Sequence, residues 1–147
     1  MPQSRLIIRP RYGEVDSMGV VYHANYLQYF DMGRTEYLRE CGLPYAELEK
    51  RGYLLAVVDV GIKYRKSAHY DEELVLITHI ASSSRATVTF NYELFNAEGL
   101  LLTSAHTRLA CLGPDKLPAV LPPDLRDLIE KAISAGRKGA VTPSESP

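Results

Sequence analysis

The segment Tyr12-Gly-Glu-Val-Asp16-Ser-Met-Gly19-Val-Val-Tyr22-His23-Ala-Asn25-Tyr26 sets one carboxylate on a glycine-containing turn directly ahead of an aromatic-rich helical pattern. That arrangement suits acyl transfer. Backbone N–H groups at a helix start concentrate positive potential and can hold a developing oxyanion, while Asp16 attacks the carbonyl or activates water. An unperturbed Asp has a pKa of ~3.9, so at neutral pH it is ionised and available as nucleophile or general base. The plainer reading is a turn Asp bonding its own backbone ahead of Gly19. His23 divides the same way: its ring positions Asp16 or water, or it is a packed imidazole bonded to a backbone carbonyl. Tyr22, Tyr26, Tyr29 and Phe30 line an acyl or aryl pocket or belong to the core.

These residues need a scaffold, and the pattern supplies one. Ser4 to Tyr12 reads as a strand weakened by Pro10, which points to an edge position or a bulge. From Tyr26 the apolar positions take helical spacing: Tyr26, Tyr29, Phe30, Gly33, Tyr37 and Cys41 share a face, and Gln28, Asp31, Thr35 and Arg39 lie away from it. Asn25 is a candidate N-cap, with Gln28 at the return position of a capping box, and Gly42 and Pro44 end the helix. Gly33 in mid-helix costs about 1 kcal/mol relative to Ala, so it predicts close approach of a sheet.

After a loop around Glu49 to Gly52 come four strand-like runs: Leu54 to Arg65, Leu74 to Ala81, Ala86 to Phe95 and Leu100 to Leu112. In the third, Val88, Phe90, Tyr92 and Leu94 alternate with Thr87, Thr89, Asn91 and Glu93. Asn96-Ala-Glu-Gly99 makes the hairpin between the last two. Gly113-Pro114 stops the final strand, and Pro122-Pro123-Asp124 opens an amphipathic helix with Leu125, Leu128, Ile129, Ala132 and Ile133 on one face, closed by Gly136. Residues 1–136 form one domain, and 137–147 read as a disordered tail. One long helix among consecutive strands predicts an α+β fold, a mostly antiparallel sheet on a single helix.

Composition excludes several classes. At 147 residues the chain is the size of one domain, and a net charge of -1 leaves no excess for a nucleic acid. Cys41 and Cys111 share no metal-type spacing and read as buried, reduced thiols, and the four histidines (His23, His69, His79, His106) lack ligand spacing, so no metal site is expected. Nothing resembles a phosphate loop or a Gly-x-Ser-x-Gly elbow. Leu6-Ile7-Ile8 is too brief for a signal-peptide core and no apolar run spans a membrane, so the expected location is cytoplasmic.

Asp16 with Gly19-Val-Val-Tyr22-His23-Ala-Asn25-Tyr26, then Arg34-Thr35-Glu36 and Ala68-His-Tyr70-Asp71, resembles the 4-hydroxybenzoyl-CoA thioesterase-like branch of the hot-dog acyl-CoA thioesterases, over about Arg5 to Gly113. The resemblance implies a hot-dog fold, with the sheet wrapped around the helix, and a homodimer or homotetramer. It implies an acyl-CoA substrate hydrolysed to free acid and CoA without a cofactor. Asp16 becomes the catalytic carboxylate, and His23 occupies the position whose amide binds the oxyanion. Tyr22, Asn25 and Tyr26 become substrate-binding candidates.

Two rival activities stand beside this one. Hot-dog dehydratases pair a His with an acidic helix residue at a separation like the thirteen positions from His23 to Glu36, and another thioesterase branch uses a helix Glu. A Glu36 paired with a nearby Arg or Lys is the plainer reading. The other rival is a non-catalytic acyl-CoA-binding protein. CoA phosphates require cations, and Lys63, Arg65, Lys66 and Arg85 are the available cluster. The chain departs from aryl-CoA thioesterases at Ser82-Ser83-Ser84-Arg85, where several basic residues are expected, and at Ser67, where many relatives have Pro.

Overall fold

The computed structural model describes residues 3–139. Five strands, β1 (Gln3–Ile8), β2 (Leu54–Tyr64), β3 (Leu74–Ser83), β4 (Thr87–Asn96) and β5 (Leu101–Leu112), form one sheet in the order β1-β3-β4-β5-β2. Every neighbouring pair is antiparallel. The long helix α1 (Tyr26–Glu40) packs on one face of the sheet, followed by a short helix α2 (Tyr45–Lys50), and α3 (Pro123–Gly139) closes the described chain. This is the hot-dog arrangement.

The side-chain periods explain the packing. Val88, Phe90, Tyr92 and Leu94 are all buried, as strict alternation requires of a central strand with one face on a core. They meet α1 through rings: Phe30 stacks on Tyr92 at 4.7 Å and Tyr37 meets Phe90 edge-on at 5.8 Å. On α1, Tyr26, Tyr29, Phe30, Gly33 and Tyr37 are buried, while Gln28, Asp31, Thr35 and Arg39 are exposed. Gly33 has the reason expected of it. A Cβ there would stand 2.5 Å from Thr78 Oγ1 and 2.6 Å from Leu76 Cδ2, so only a bare backbone lets α1 sit this close to β3.

The end of α1 is a Schellman motif: Gly42 at φ +90 donates to the Arg39 carbonyl, and Leu43 to that of Leu38. Asn96-Ala-Glu-Gly99 turns as expected, with Gly99 at φ +84 and Asn96 Oδ1 accepting from the amides of Glu98 and Leu100.

Several boundaries differ from the sequence reading. β1 stops at Ile8, because the chain turns through Pro10 into a 3-10 turn at Tyr12–Glu14; it is an edge strand all the same. The expected loop before β2 begins as α2, with Leu48 buried beneath it. α3 passes Gly136 and runs to Gly139, since a glycine lowers helix propensity without forbidding it. Of the disordered tail expected at 137–147, residues 137–139 belong to α3 instead, and 140–147 lie outside the described residues. No helix among the described residues is long and apolar enough to cross a membrane.

Candidate active site

Glu14 organises the approach to α1. Its backbone carbonyl accepts from the Tyr22 amide at 2.9 Å and from Asn25 Nδ2 at 2.8 Å. Its carboxylate accepts from the Arg11 amide at 2.8 Å and the Tyr29 hydroxyl at 2.9 Å. Burial alone would raise its pKa, but the bonds from the Arg11 backbone, the Tyr29 hydroxyl and the Arg11 guanidinium outweigh it and hold Glu14 below the ordinary value. Burial, then the Glu14 carboxylate, pushes the Tyr29 hydroxyl well above the usual tyrosine range.

A carboxyl with a depressed pKa stabilises the fold above its unfolded pKa, and that stabilisation is lost as pH falls through the folded value. Glu14→Gln is therefore expected to lower unfolding free energy by about 1 kcal/mol at pH 7, a neutral acceptor making weaker bonds than a charged one. The deficit should shrink as pH drops below 4.5, Glu14's ordinary value. Urea titrations of both proteins at pH 7 and pH 3.5 check this; an equal deficit at both would remove Glu14's charge from the explanation.

Asp16 sits at the tip that Glu14 anchors. Its amide donates to the Val20 carbonyl at 2.9 Å, and Gly19 donates to the Asp16 carbonyl at 3.0 Å. Gly19 has φ +81, a conformation that closes this loop and that other residues resist. Oδ1 accepts from the Met18 amide at 2.8 Å, so Asp16 does form the turn that the plainer reading expected. That bond occupies one oxygen. Among the described residues Oδ2 has no hydrogen-bond partner, and the side chain is exposed.

A second segment clamps the loop from the far side. The Val21 amide donates to the Ala68 carbonyl at 2.8 Å, Val20 bridges to His69, and the Tyr70 amide reaches the Gly19 carbonyl at 3.4 Å. The Ala68 amide in turn donates to the Tyr26 hydroxyl at 3.3 Å. Folding thus brings the Ala68-His-Tyr70-Asp71 stretch against the Asp16 loop.

The helix entry is one turn longer than α1. Tyr22 is extended, with φ -62 and ψ 132, and His23–Asn25 form a 3-10 turn that runs straight into Tyr26. Asn25 is therefore not the cap: its φ of -71 and ψ of -18 are helical, and its side chain, committed to the Glu14 carbonyl, makes no capping bond. The amides of His23 and Ala24 donate to no other described residue. They are the orphan donors of a helix start, where positive potential gathers.

The remaining candidates sort by exposure. The His23 ring is exposed and lies 4.4 Å from the Tyr22 ring and 6.5 Å from the Tyr64 ring, making no hydrogen bond to a carbonyl. Tyr22 is 48% exposed, whereas Tyr26, Tyr29 and Phe30 are buried at 2%, 1% and 0%. The last three are core, so Tyr26 does not line a pocket; Asn25, tied to Glu14, holds the loop. Glu36 pairs with Arg39 one turn on, as the plainer reading expected, and makes no contact with His23.

The four basic residues do not form one cluster within a chain. Lys63 lies opposite Ser104 on β5, whereas Ala86, next to Arg85, accepts from Cys111, seven residues further along that strand. At ~3.4 Å per residue the two ends are about 24 Å apart. Lys63, Arg65, Lys66 and Arg85 are all exposed.

Besides the role of Glu14, two features were not anticipated. One is a cleft of about 230 Å³ between α1, α2, β2 and β5, with Leu38, Leu55 and Leu109 as its apolar lining and Asp31, Arg34, Thr35 and Tyr45 around them. The other is Tyr64, at the end of β2, whose hydroxyl donates to the His23 carbonyl at 2.9 Å. Its signal in the sequence is the period of two through Val60, Ile62 and Tyr64, which puts all three on the α1 side of the sheet.

Comparison with known proteins gives a consistent answer. Residues 18–103 match the thioesterase superfamily. The structure of the DHNA-CoA thioesterase from Staphylococcus aureus superposes with a TM-score of 0.90 at 34% identity, over 97% of this chain and 98% of that one. YneP of Bacillus subtilis (strain 168) is 35% identical over 136 residues, covering 90% of this chain and 99% of its own. The acyl-CoA thioester hydrolase YbgC of Escherichia coli O6:H1 is 32% identical over 116 residues, 78% of this chain and 87% of its own.

Proposed function

The chain belongs to the thioesterase superfamily, and on that premise we propose that it hydrolyses an acyl- or aroyl-CoA thioester to free acid and CoA, with Asp16 as the catalytic carboxylate. The observation that carries the residue assignment is the pairing of an exposed, half-unpartnered Asp16 carboxylate with the unpaired His23 and Ala24 amides across one clamped loop. Asp16 attacks the thioester carbonyl to give a mixed anhydride, or deprotonates the water that attacks. The helix-entry amides receive the negative oxygen, and losing one such donor typically costs about 2.7–4 kcal/mol of barrier. The cleft of about 230 Å³ stands apart from these groups: Leu55 and Leu109 line it near the end of the sheet where Leu55 pairs with Cys111, whereas Tyr64, bonded to the His23 carbonyl, pairs with Thr103 six to nine residues away, about 20–30 Å along the strands.

Thiol release from a panel of acyl-CoAs separates this reading from its rivals. Only a thioesterase liberates CoA. A dehydratase built on His23 and Glu36 would interconvert enoyl- and hydroxyacyl-CoA, and the Glu36–Arg39 pair gives that activity no support. A binding protein would do neither.

A homodimer is the smallest assembly we propose, with the site near its interface. β2 is an eleven-residue edge strand on which Val57, Val58 and Val60 are 46%, 54% and 41% exposed. A long apolar edge invites pairing, and a second copy supplies it on the β2 side of the sheet. Sedimentation at micromolar concentration is expected to give two or four times the chain mass; a fully active monomer would contradict it.

Within this reading Arg85 anchors CoA phosphate, helped by Lys63, Arg65 or Lys66 of the other subunit. A charge-assisted hydrogen bond is worth roughly 1.5–3 kcal/mol. Arg85→Ala should raise KM about tenfold with a smaller change in kcat, because the phosphates lie far from the reacting carbonyl and supply uniform binding. A truncated thioester lacking the nucleotide should be unaffected. If it suffers equally, the phosphate groove lies elsewhere.

A further inference from the structure

We propose that Tyr64 is a positioning residue for the reaction, its hydroxyl fixing and polarising the helix-entry peptide that follows the Asp16 loop. This rests on the thioesterase reading above and adds a residue to it. Tyr64 ends the edge strand β2, half exposed, in a place where burial does not explain a tyrosine. Its ring meets Tyr26 edge-on at 5.3 Å and His23 edge-on at 6.5 Å. Those contacts need only a ring. The hydroxyl acts separately and donates at 2.9 Å to the carbonyl of His23.

That carbonyl belongs to the same planar peptide unit as the Ala24 amide. A hydrogen bond accepted at its oxygen draws electron density through the unit and makes the N–H a stronger donor, by about 10–30% if ordinary cooperative strengthening applies. The bond also fixes the orientation of the 3-10 turn, where helix ends otherwise fray, and so the direction in which the unpaired His23 and Ala24 amides point. Tyr64 makes no hydrogen bond to Asp16; its hydroxyl bonds the His23 carbonyl. It acts through the peptide, and it ties the edge strand to the site.

Tyr64→Phe tests this, since it keeps the ring contacts and deletes the one donor. The readout is the single-turnover rate of CoA release, which reports the chemical step whether or not product release limits turnover. A fall of about tenfold is expected, the worth of one hydrogen bond felt in the transition state, with KM and thermal midpoint unchanged. Affinity for a non-hydrolysable thioether analogue of acyl-CoA should also match wild type. A wild-type single-turnover rate in Tyr64→Phe overturns the inference, as does a loss of rate accompanied by an equal loss of stability or of analogue affinity. Tyr64→Leu removes ring and hydroxyl together; if it alone slows the reaction, packing is the whole role of Tyr64. Failure of the thioesterase reading looks different: CoA release would then survive Asp16→Asn, whatever Tyr64→Phe does.

Discussion

Asp16→Asn should abolish CoA release, by on the order of a thousandfold or more, with the fold and acyl-CoA affinity retained. The structure makes this substitution unusually clean. Asn preserves the volume and keeps an acceptor for the Met18 amide, so the turn that positions residue 16 persists. What changes is the unpartnered oxygen, which becomes a neutral amide unable to attack a carbonyl or take a proton from water. Circular dichroism and binding of a thioether analogue establish that the variant is folded and loaded, and free-thiol detection measures release. Wild-type turnover in such a variant would sink the assignment. Glu36→Gln is the companion control: engaged with Arg39 on the helix surface, Glu36 should tolerate neutralisation with at least about a tenth of the activity left, a tenfold loss being one hydrogen bond's worth. If the helix variant loses as much as Asp16→Asn, the carboxylate role moves to α1.

The scaffold around this site was largely legible because its signals are local and repeated. β4 alternates with a period of two over eight residues, and the tyrosines and Phe30 of α1 recur at helical spacing, so neither could be placed in another element without exposing its apolar face. Gly33 and Gly99 carried conformational information that survived into the structure, one as a close approach and the other as a positive φ. Asn25 misled because its chemistry suits a cap. Its Nδ2 donates to the carbonyl of Glu14, eleven residues back, which orients the side chain without a capping bond from its Oδ1, and no local rule sees that contact.

The candidate site was half legible. The Asp16 turn and the helix entry lie within one stretch of chain, and their adjacency could be read directly. Glu14 and Tyr64 were missed for the opposite reason: each works through a bond across the fold, Tyr64 reaching 41 residues back to His23. The four basic residues erred the other way. Lys63, Arg65 and Lys66 look close to Arg85 in sequence, but they stand at opposite ends of the sheet, because β3 and the register of β2 and β4 on β5 intervene.

The largest effect on stability is expected at Gly33. Alanine is the better helix former by about 1 kcal/mol, so propensity alone predicts that Gly33→Ala stabilises the protein. The geometry opposes it. The new Cβ would stand 2.5 Å from Thr78 Oγ1 and 2.6 Å from Leu76 Cδ2, both inside the core, where Thr78 is 1% and Leu76 0% exposed. Neither neighbour can swing into solvent, so α1 must lift from β3 or the side chains must leave their rotamers, at about 1–3 kcal/mol. Lifting the helix also loosens the stack of Phe30 on Tyr92, which adds to the loss. The net effect should be destabilisation of about 1–3 kcal/mol once the propensity gain is subtracted and the loosened stack, itself worth about 0.5–1.5 kcal/mol, is added. Gly33→Ser, with a hydroxyl on the same Cβ, should be worse. Gly61 provides the contrast: a Cβ there would fall 2.3 Å from His106 Cε1, but that ring is 43% exposed and can turn away. Gly61→Ala should therefore give up the His106–Asp59 bond and little stability. Urea midpoints of the two alanine variants decide the matter: a Gly33→Ala protein as stable as wild type would mean that the helix and sheet are not held at the separation seen here.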